Sequence, residues 1–208
     1  MQCTSGSQPL GIKPTGSPSN SGKIFAWNLL NRLSTHITPE VVPETQCGFR
    51  VNRNTVDLIF CFRKLQEKCI EQDRPLYVVF VDFSKAFDTV GRTGLWQLLR
   101  KYECPEKFPT MIEALYTGTM ANVSVVSESF SVTNGVKQSC VLAPTLFSTF
   151  LSAMFDEAFR DMGDGIYIQS RQSADLFNVA HFRAKAKTTR ILMRELLFAA
   201  DSALVALC

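Results

Sequence analysis

Two short segments place an aspartate directly after an apolar run, where metal-assisted chemistry could be built. In YVVFVDFSKAFDTV the run ends at Asp82, and in ELLFAADSALVA it leads to Asp201. Strands that bring carboxylates together supply the oxygen ligands that divalent cations prefer, and such ions support phosphoryl transfer. A carboxylate at the end of a buried strand needs a cation or a group of hydrogen-bond donors. An ordinary strand-end cap is therefore the competing interpretation of Asp82.

Apolar spacing and capping residues predict the helices that would surround these aspartates. A helix is predicted to begin near Asn54, because Asn is a good N-cap and Asp57 then lies at the positive end of the helix. Pro144 suits the first turn of a further helix over residues 144–160. Apolar residues at helical spacing mark the others: Ala26, Leu29, Leu30 and Leu33; Leu95, Leu98, Leu99 and Tyr102; Phe108, Met111, Ile112 and Leu115.

Strand candidates are separated irregularly by these helices. Residues 76–81 form a continuous β-branched and aromatic run, which predicts a strand buried on both faces. Paired strands are predicted within 121–133, and shorter ones at 166–168, 176–177 and 192–198. Because helices and strands do not alternate as βαβ units, the predicted fold class is α+β. Residues 1–22 are rich in Ser, Gly, Pro and Thr and are predicted to be a disordered lead-in.

Composition limits the possible classes of protein. The 208 residues are 46% hydrophobic and 20% charged, which suits one sizeable core, and a net charge of +3 is too small to indicate a polyanionic partner by itself. Seven scattered cysteines without a CxxC pair favour a reduced protein of the nucleus or cytoplasm. Residues 138–155 carry no charge, but their hydroxyl groups and a proline favour a buried helix over a membrane span.

Four segments in one order resemble the motifs of reverse transcriptases. VDFSKAFDTV resembles motif A, in particular that of non-LTR (LINE-type) retrotransposons, and the other three segments are QCGFRVNRNTVD at 46–57, NGVKQSCVLAPTLF at 134–147 and FAAD at 198–201. The resemblance covers about residues 22–208. It implies a right-hand polymerase with a palm built on an antiparallel sheet. Its fingers would be partial and largely within residues 23–75, and its palm, 76–208, would stop soon after motif C without a thumb.

The resemblance also implies partners, ions and roles for residues. The partners would be an RNA template, a DNA primer and deoxynucleoside triphosphates, and two Mg²⁺ (or Mn²⁺) ions would serve the reaction. Asp82 would be the motif A metal ligand, assisted by the backbone carbonyl of Phe83, and Asp201 would be the remaining motif C carboxylate. Further residues would contact the nucleotide: Arg50 at the triphosphate, Phe87 as a steric gate against a ribose 2′-hydroxyl, and Gln138 against the nucleotide.

Some of these residues keep a plain structural alternative. Phe87 could be a core residue, Arg53 could contact template phosphates, and either Arg50 or Arg53 could be a plain solvated arginine. A basic cluster before the last strand could follow the template–primer backbone or simply form a charged, solvated face; it comprises Arg183, Lys185, Lys187, Arg190 and Arg194.

The sequence departs from the family pattern in motif C, where Ala200 takes the position of the first aspartate. Adjacent residues of an extended hairpin point to opposite faces, so Asp201 is expected to point away from the site. Ser139 also replaces a motif B glycine. We therefore expect a catalytically dead domain. The alternatives are a remnant that binds RNA or RNA–DNA hybrid without catalysis, and a decayed product without a selected role.

Overall fold

A computed structural model describes residues 12–14, 20–36, 41–102, 104–123, 128–137, 140–161, 165–171 and 188–207. Its helices are α1 (Asn20–His36), α2 (Thr55–Glu71), α3 (Ala86–Thr89), α4 (Arg92–Lys101), α5 (Lys107–Tyr116) and α6 (Ala143–Phe159). Its strands are β1 (Ile12–Pro14), β2 (Leu76–Asp82), β3 (Met120–Val123), β4 (Phe130–Ser131), β5 (Ile166–Arg171), β6 (Thr188–Met193), β7 (Glu195–Phe198) and β8 (Asp201–Leu207). Mixed helices and small antiparallel sheets agree with the predicted α+β class.

The sheet that carries both aspartates has three strands in the order β2-β8-β7. Both pairings are antiparallel, and β8 lies in the middle. The register runs from Leu76 opposite Leu207 to Asp82 opposite Asp201. Phe198 also faces Asp201 across the β7–β8 pair, so these two strands are joined by a turn of only two residues, Ala199 and Ala200.

Strand β2 is an edge strand, and the prediction that it is buried on both faces is wrong. Tyr77, Val79 and Phe80 are 57%, 58% and 75% exposed. A continuous apolar run indicates burial only when other elements cover both faces of the strand. Here the residues alternate between half-buried and exposed along most of the strand.

Helix α2 covers one face of this sheet and begins at the predicted cap. The Asn54 side chain accepts a hydrogen bond from the Asp57 backbone, and the Asp57 side chain accepts one from the Asn54 backbone. This reciprocal arrangement is a capping box. The apolar face of α2 buries Cys61 and Leu65 in a core cluster with residues of four strands: Ile166, Met193, Leu196, Ala203 and Val205.

A larger core cluster joins α1, α4, α5 and α6 through fully buried residues such as Leu33, Leu99, Ile112 and Leu146. Helix α6 has Pro144 in its first turn, as predicted, and buries more than half of its residues. This burial agrees with the prediction that the uncharged segment forms a buried helix. Among the residues that the structure describes, no helix is both long enough and apolar enough to cross a membrane.

The predicted disordered lead-in differs in part from the structure. Within residues 1–22, Ile12–Pro14 pairs with β3 and α1 already begins at Asn20. A short strand can be stabilised by backbone hydrogen bonds to its neighbour, so its sequence need not show an apolar pattern.

The predicted pairing of β3 with β4 is confirmed, whereas residues 176–177 lie outside the described residues.

Candidate functional site

The carboxylates of Asp82 and Asp201 belong to the same face of the sheet, because the two residues are opposite each other in the β2–β8 ladder. Directly opposed residues of an antiparallel pair have Cβ atoms about 5 Å apart on one face. Both residues are exposed. The expectation that Asp201 points away from Asp82 is therefore wrong: alternation applies along a strand, whereas Ala200 is a turn residue and Asp201 is the first residue of β8.

Ala200 lies in the turn directly before Asp201 and has only a methyl side chain. It is half-buried in the turn and packs against the larger core cluster, as does the partly buried Phe83 next to Asp82. By the resemblance, this is the position of the first motif C aspartate, and here it offers no oxygen ligand.

A cleft of about 700 Å³ opens between α2 and this face of the sheet, with the two aspartates at its margin. Its wall from α2 is mainly apolar but also contains Arg63 and Gln66. The lining residues are Leu58, Ile59, Phe62, Arg63, Gln66, Phe80, Val81, Asp82, Leu196, Phe198, Asp201, Ser202 and Ala203. The cleft therefore combines two carboxylates and the guanidinium of Arg63 with apolar surface.

The donor set of this site suits one hard cation better than two. Among the described residues there is no group of three or more His, Cys, Asp or Glu side chains that could hold a metal ion. Mg²⁺ is commonly held by one or two carboxylates while it retains several waters. Asp82 and Asp201 can meet that requirement for a single ion. A second ion would lack the carboxylate that Ala200 replaces.

Phe87, the predicted steric gate, lies within an aromatic group. Its ring stacks on Phe147 at 4.5 Å between centroids and meets Phe49 edge-on at 5.9 Å. The Phe87 carbonyl accepts a hydrogen bond from the Val136 backbone at 2.8 Å, which ties motif B to motif A. Phe87 is half-buried. The packing agrees with the core interpretation and leaves part of the ring accessible, so the gate remains a prediction.

Arg50 and Arg53 share one carboxylate. The two oxygens of Glu44 lie 2.9 Å from Arg50 and 2.7 Å from Arg53, and Arg50 also donates to the Pro43 carbonyl. These contacts order the loop that precedes α2. They occupy some of the donors of each guanidinium, which has five N–H groups in all. Contact of either arginine with a phosphate remains a prediction.

Most of the other residues predicted to contact nucleotide or nucleic acid lie outside the described residues. Gln138 lies outside the described residues, and so do Arg183, Lys185 and Lys187. Arg190 lies in β6, opposite Gln169 of β5. Arg194 follows β6, and its guanidinium donates to the Phe159 carbonyl at the end of α6.

The segment Thr45–Gly48 also lies against the turn between β7 and β8, and the sequence reasoning missed it. Cys47 and Thr45 exchange backbone hydrogen bonds with Leu197, and Gln46 is fully buried. The signal was present in the QCGFR motif, whose resemblance drew attention only to Arg50. A buried glutamine two residues before a glycine is a different kind of feature from a phosphate-binding arginine, because its side chain accepts hydrogen bonds from backbone N–H groups.

Glu195 is a largely buried carboxyl at the start of β7. Burial is the main cause that raises its pKa; Arg194 lowers it and Asp156 raises it further. Its Oε2 atom has no hydrogen-bond partner among the described residues, and Arg194 Nε is 3.8 Å away. Ionisation of this carboxyl therefore opposes folding.

We expect Glu195→Gln to stabilise the protein at neutral pH. A carboxyl whose pKa is higher in the folded state contributes stability below its unfolded pKa, and this contribution is lost as pH rises through the folded pKa. The variant should therefore have the higher melting temperature at pH 7, and the difference should disappear near pH 4. Thermal unfolding between pH 4 and pH 8 measures this.

Glu67→Gln is the control, because Glu67 is exposed and forms an i,i+3 ion pair with Lys64 on α2. Such pairs contribute little to stability, so this variant should behave like the parent at every pH. A lower stability of Glu195→Gln at pH 7 would contradict this, because it would show that the attraction to Arg194 exceeds the cost of burying the ionised carboxyl.

Comparison with protein families identifies the class of this chain. The family model described as "Reverse transcriptase (RNA-dependent DNA polymerase)" matches residues 8–169, which is most of the chain. The chain therefore belongs to the reverse transcriptase family. The match ends before β7 and β8, so the turn that carries Ala200 lies beyond the matched residues.

Individual relatives narrow the class to a LINE-type reverse transcriptase domain, which confirms the motif-based prediction. The chain is similar to the "RNA-directed DNA polymerase from mobile element jockey" of Drosophila funebris, 29% identical over 72% of this chain and 17% of the relative. The jockey protein of Drosophila melanogaster is 30% identical over 68% of this chain and 16% of the relative. The "Probable RNA-directed DNA polymerase from transposon BS" of Drosophila melanogaster is 27% identical over 68% and 16%. The chain thus spans about one sixth of the length of these relatives.

Proposed function

We propose that the sheet end formed by Asp82, Ala200 and Asp201 is a nucleotidyl-transfer site of an RNA-directed DNA polymerase that has lost most of its activity. One observation carries this proposal: Asp82 and Asp201 are opposite each other in the β2–β8 ladder while Ala200 occupies the turn that joins β7 to β8. Membership of the reverse transcriptase family indicates the reaction. The lack of a carboxylate at Ala200 is the proposed cause of the lost activity.

The residues of the site have distinct tasks in this proposal. Asp82, Asp201 and the backbone carbonyl of Phe83 would hold Mg²⁺ or Mn²⁺; in a complete site, two such ions lower the pKa of the primer 3′-hydroxyl and neutralise charge on the triphosphate. Arg50 would bind phosphate oxygens with its guanidinium. Phe87 would lie under the sugar and exclude a 2′-hydroxyl, and Gln138 would lie against the nucleotide.

The remaining cations would bind the template–primer duplex. Arg53 would contact template phosphates, and Arg183, Lys185, Lys187 and Arg190 would follow the backbone of the duplex. Binding of this kind depends on counterion release, so its affinity falls steeply with salt. Binding can persist without catalysis, because the cations act independently of the metal ligands.

Primer extension and duplex binding together test the proposal. The chain is given an RNA template, a labelled DNA primer and deoxynucleoside triphosphates with Mg²⁺ or Mn²⁺. We expect salt-sensitive binding of the hybrid and extension at least ~10³-fold slower than that of an active family member, since a metal ligand is worth several kcal/mol. Extension at the rate of an active member would refute the proposed defect.

Two charge variants test the binding surface. Arg53→Ala should weaken hybrid binding and reduce its salt dependence. Lys64→Ala is the matched control, because Lys64 is a cation of α2 that forms an ion pair with Glu67 and lies outside the proposed surface. Equal losses in the two variants would contradict the assignment of Arg53.

A further inference from the structure

The segment Thr45–Gly48 extends the sheet beside β7. The Cys47 backbone donates to the Leu197 carbonyl at 2.8 Å, and the Leu197 backbone donates to the Thr45 carbonyl at 2.9 Å. These two bonds form a parallel bridge between Gln46 and Leu197. Leu197 is one residue before the end of β7 and is fully buried. The segment is therefore anchored where β7 leads into the turn.

The Gln46 side chain reaches the turn itself. It is fully buried, and its Oε1 atom accepts from the Gly48 backbone at 2.8 Å and from the Ala199 backbone at 3.2 Å. Ala199 is the first turn residue, so its N–H lies outside the β7–β8 ladder. Its φ of 55° is left-handed and costs an alanine about 1 kcal/mol. The Gln46 amide therefore supplies an acceptor for the first N–H of a strained turn.

The contact between the two backbones is close enough to require glycine. A Cβ atom on Gly48 would lie 2.0 Å from the Ala199 nitrogen and 2.7 Å from its Cα. Both are backbone atoms, which cannot move aside as the end of a flexible side chain can. The Thr45–Gly48 segment and the turn therefore hold each other in one arrangement.

We propose that Gln46 is a positioning residue for the candidate site, which holds the Ala199–Ala200 turn so that Asp201 stays opposite Asp82. The burial of a whole amide is consistent with such a role, because its Nε2 atom has no partner among the described residues and only its oxygen offsets the loss of water. The importance of Gln46 for cation binding rests on the proposed function, whereas its hydrogen bond to Ala199 is independent of that function.

The test compares Gln46→Met with Ile112→Val. Met keeps the length of the side chain and removes the acceptor; Ile112 is fully buried in α5 within the larger core cluster, so Ile112→Val is a core control. Amide hydrogen exchange at Ala199 should become about tenfold faster in Gln46→Met, as loss of a net hydrogen bond implies, and stay unchanged in the control after correction for global stability.

A second measurement tests whether Gln46 affects the binding of a cation at the site. Mn²⁺ binding is followed by electron paramagnetic resonance in an Ala200→Asp background, where three carboxylates are available as ligands. Gln46→Met should weaken Mn²⁺ binding several-fold, and Ile112→Val should leave it unchanged. Faster exchange at Ala199 without weaker Mn²⁺ binding would support the hydrogen bond between Gln46 and the turn. It would refute a role of Gln46 in positioning the site.

Other results decide the remaining cases. Unchanged exchange at Ala199 in Gln46→Met, or equal acceleration in Ile112→Val, would overturn the positioning role. Should Gln46→Met fail to fold, Gln46→Asn replaces it, because the shorter side chain keeps an amide but loses its reach to Ala199. Should both fail, exchange in the unmodified chain decides: an Ala199 amide that exchanges as fast as a solvated loop amide overturns the proposal.

Discussion

Ala200→Asp should raise RNA-templated primer extension at least ~10³-fold over the unmodified chain in the presence of Mn²⁺. The substitution restores a carboxylate to the turn beside Asp82 and Asp201, which are already opposite each other. Stabilisation of charge by metal ions contributes several kcal/mol to phosphoryl transfer, and each 1.4 kcal/mol corresponds to about a factor of ten in rate. A time course of primer extension with matched protein concentrations measures the gain.

Thermal stability provides a second measurement of the same substitution. Ala200 is half-buried against the core, so an added carboxylate is partly desolvated and close to two other anions. The variant should melt below the parent in EDTA and recover as Mn²⁺ is added, because an ion that binds only the folded state stabilises it.

Ala206→Asp is the matched control for this experiment. Ala206 is half-buried, as Ala200 is, but it lies within β8, opposite Tyr77 and far along the ladder from Asp82. Its variant should lose stability without recovery in Mn²⁺. Equal extension by the parent and Ala200→Asp, or equal recovery of the two variants in Mn²⁺, would contradict our interpretation of motif C.

Gly48→Ala should destabilise the protein by about 3 kcal/mol, the upper part of the range for overpacked positions. Its new methyl group would lie 2.0 Å from the Ala199 nitrogen, so either the Thr45–Gly48 segment or the β7–β8 turn must move. Movement would break the bonds that join Thr45 and Cys47 to Leu197. Equilibrium unfolding in urea measures the loss as a lower midpoint.

Gly91→Ala is the control, because a Cβ atom at Gly91 meets nothing within 4 Å. Gly91 precedes α4 with φ −72°, which any residue can adopt, and is exposed. This variant should stay within about 0.5 kcal/mol of the parent. A small effect of Gly48→Ala would show that the contact with Ala199 can relax, and would weaken the case for a tightly held turn.

Local patterns predicted many of the elements around the site. Asn54 caps α2 as predicted, with Asp57 in the first turn, and Pro144 lies in the first turn of α6. Helix caps and apolar spacing act within a few residues, so they can be read without knowledge of the neighbours. The order of the four motifs likewise indicated the reverse transcriptase family, and the match to the family model confirmed it.

Features that depend on contacts between distant segments could not be read in this way. The apolar run of β2 predicted burial on both faces, yet its position at the sheet edge leaves Phe80 exposed. Alternation predicted that Asp201 points away from Asp82, yet the two-residue turn places it opposite Asp82. Both errors arise because strand order and register are set by pairing between segments, which one segment alone does not specify.

Residue types and their order were sufficient to indicate the family of this chain, and they pointed to Asp82, Ala200 and Asp201 as candidate site positions. The contact of Gln46 and Gly48 with the turn at Ala199 became visible only in the folded chain, since more than 150 residues separate them along the sequence. That contact arises from the close approach of two backbones and a buried hydrogen bond, and it exists only once the sheet has assembled.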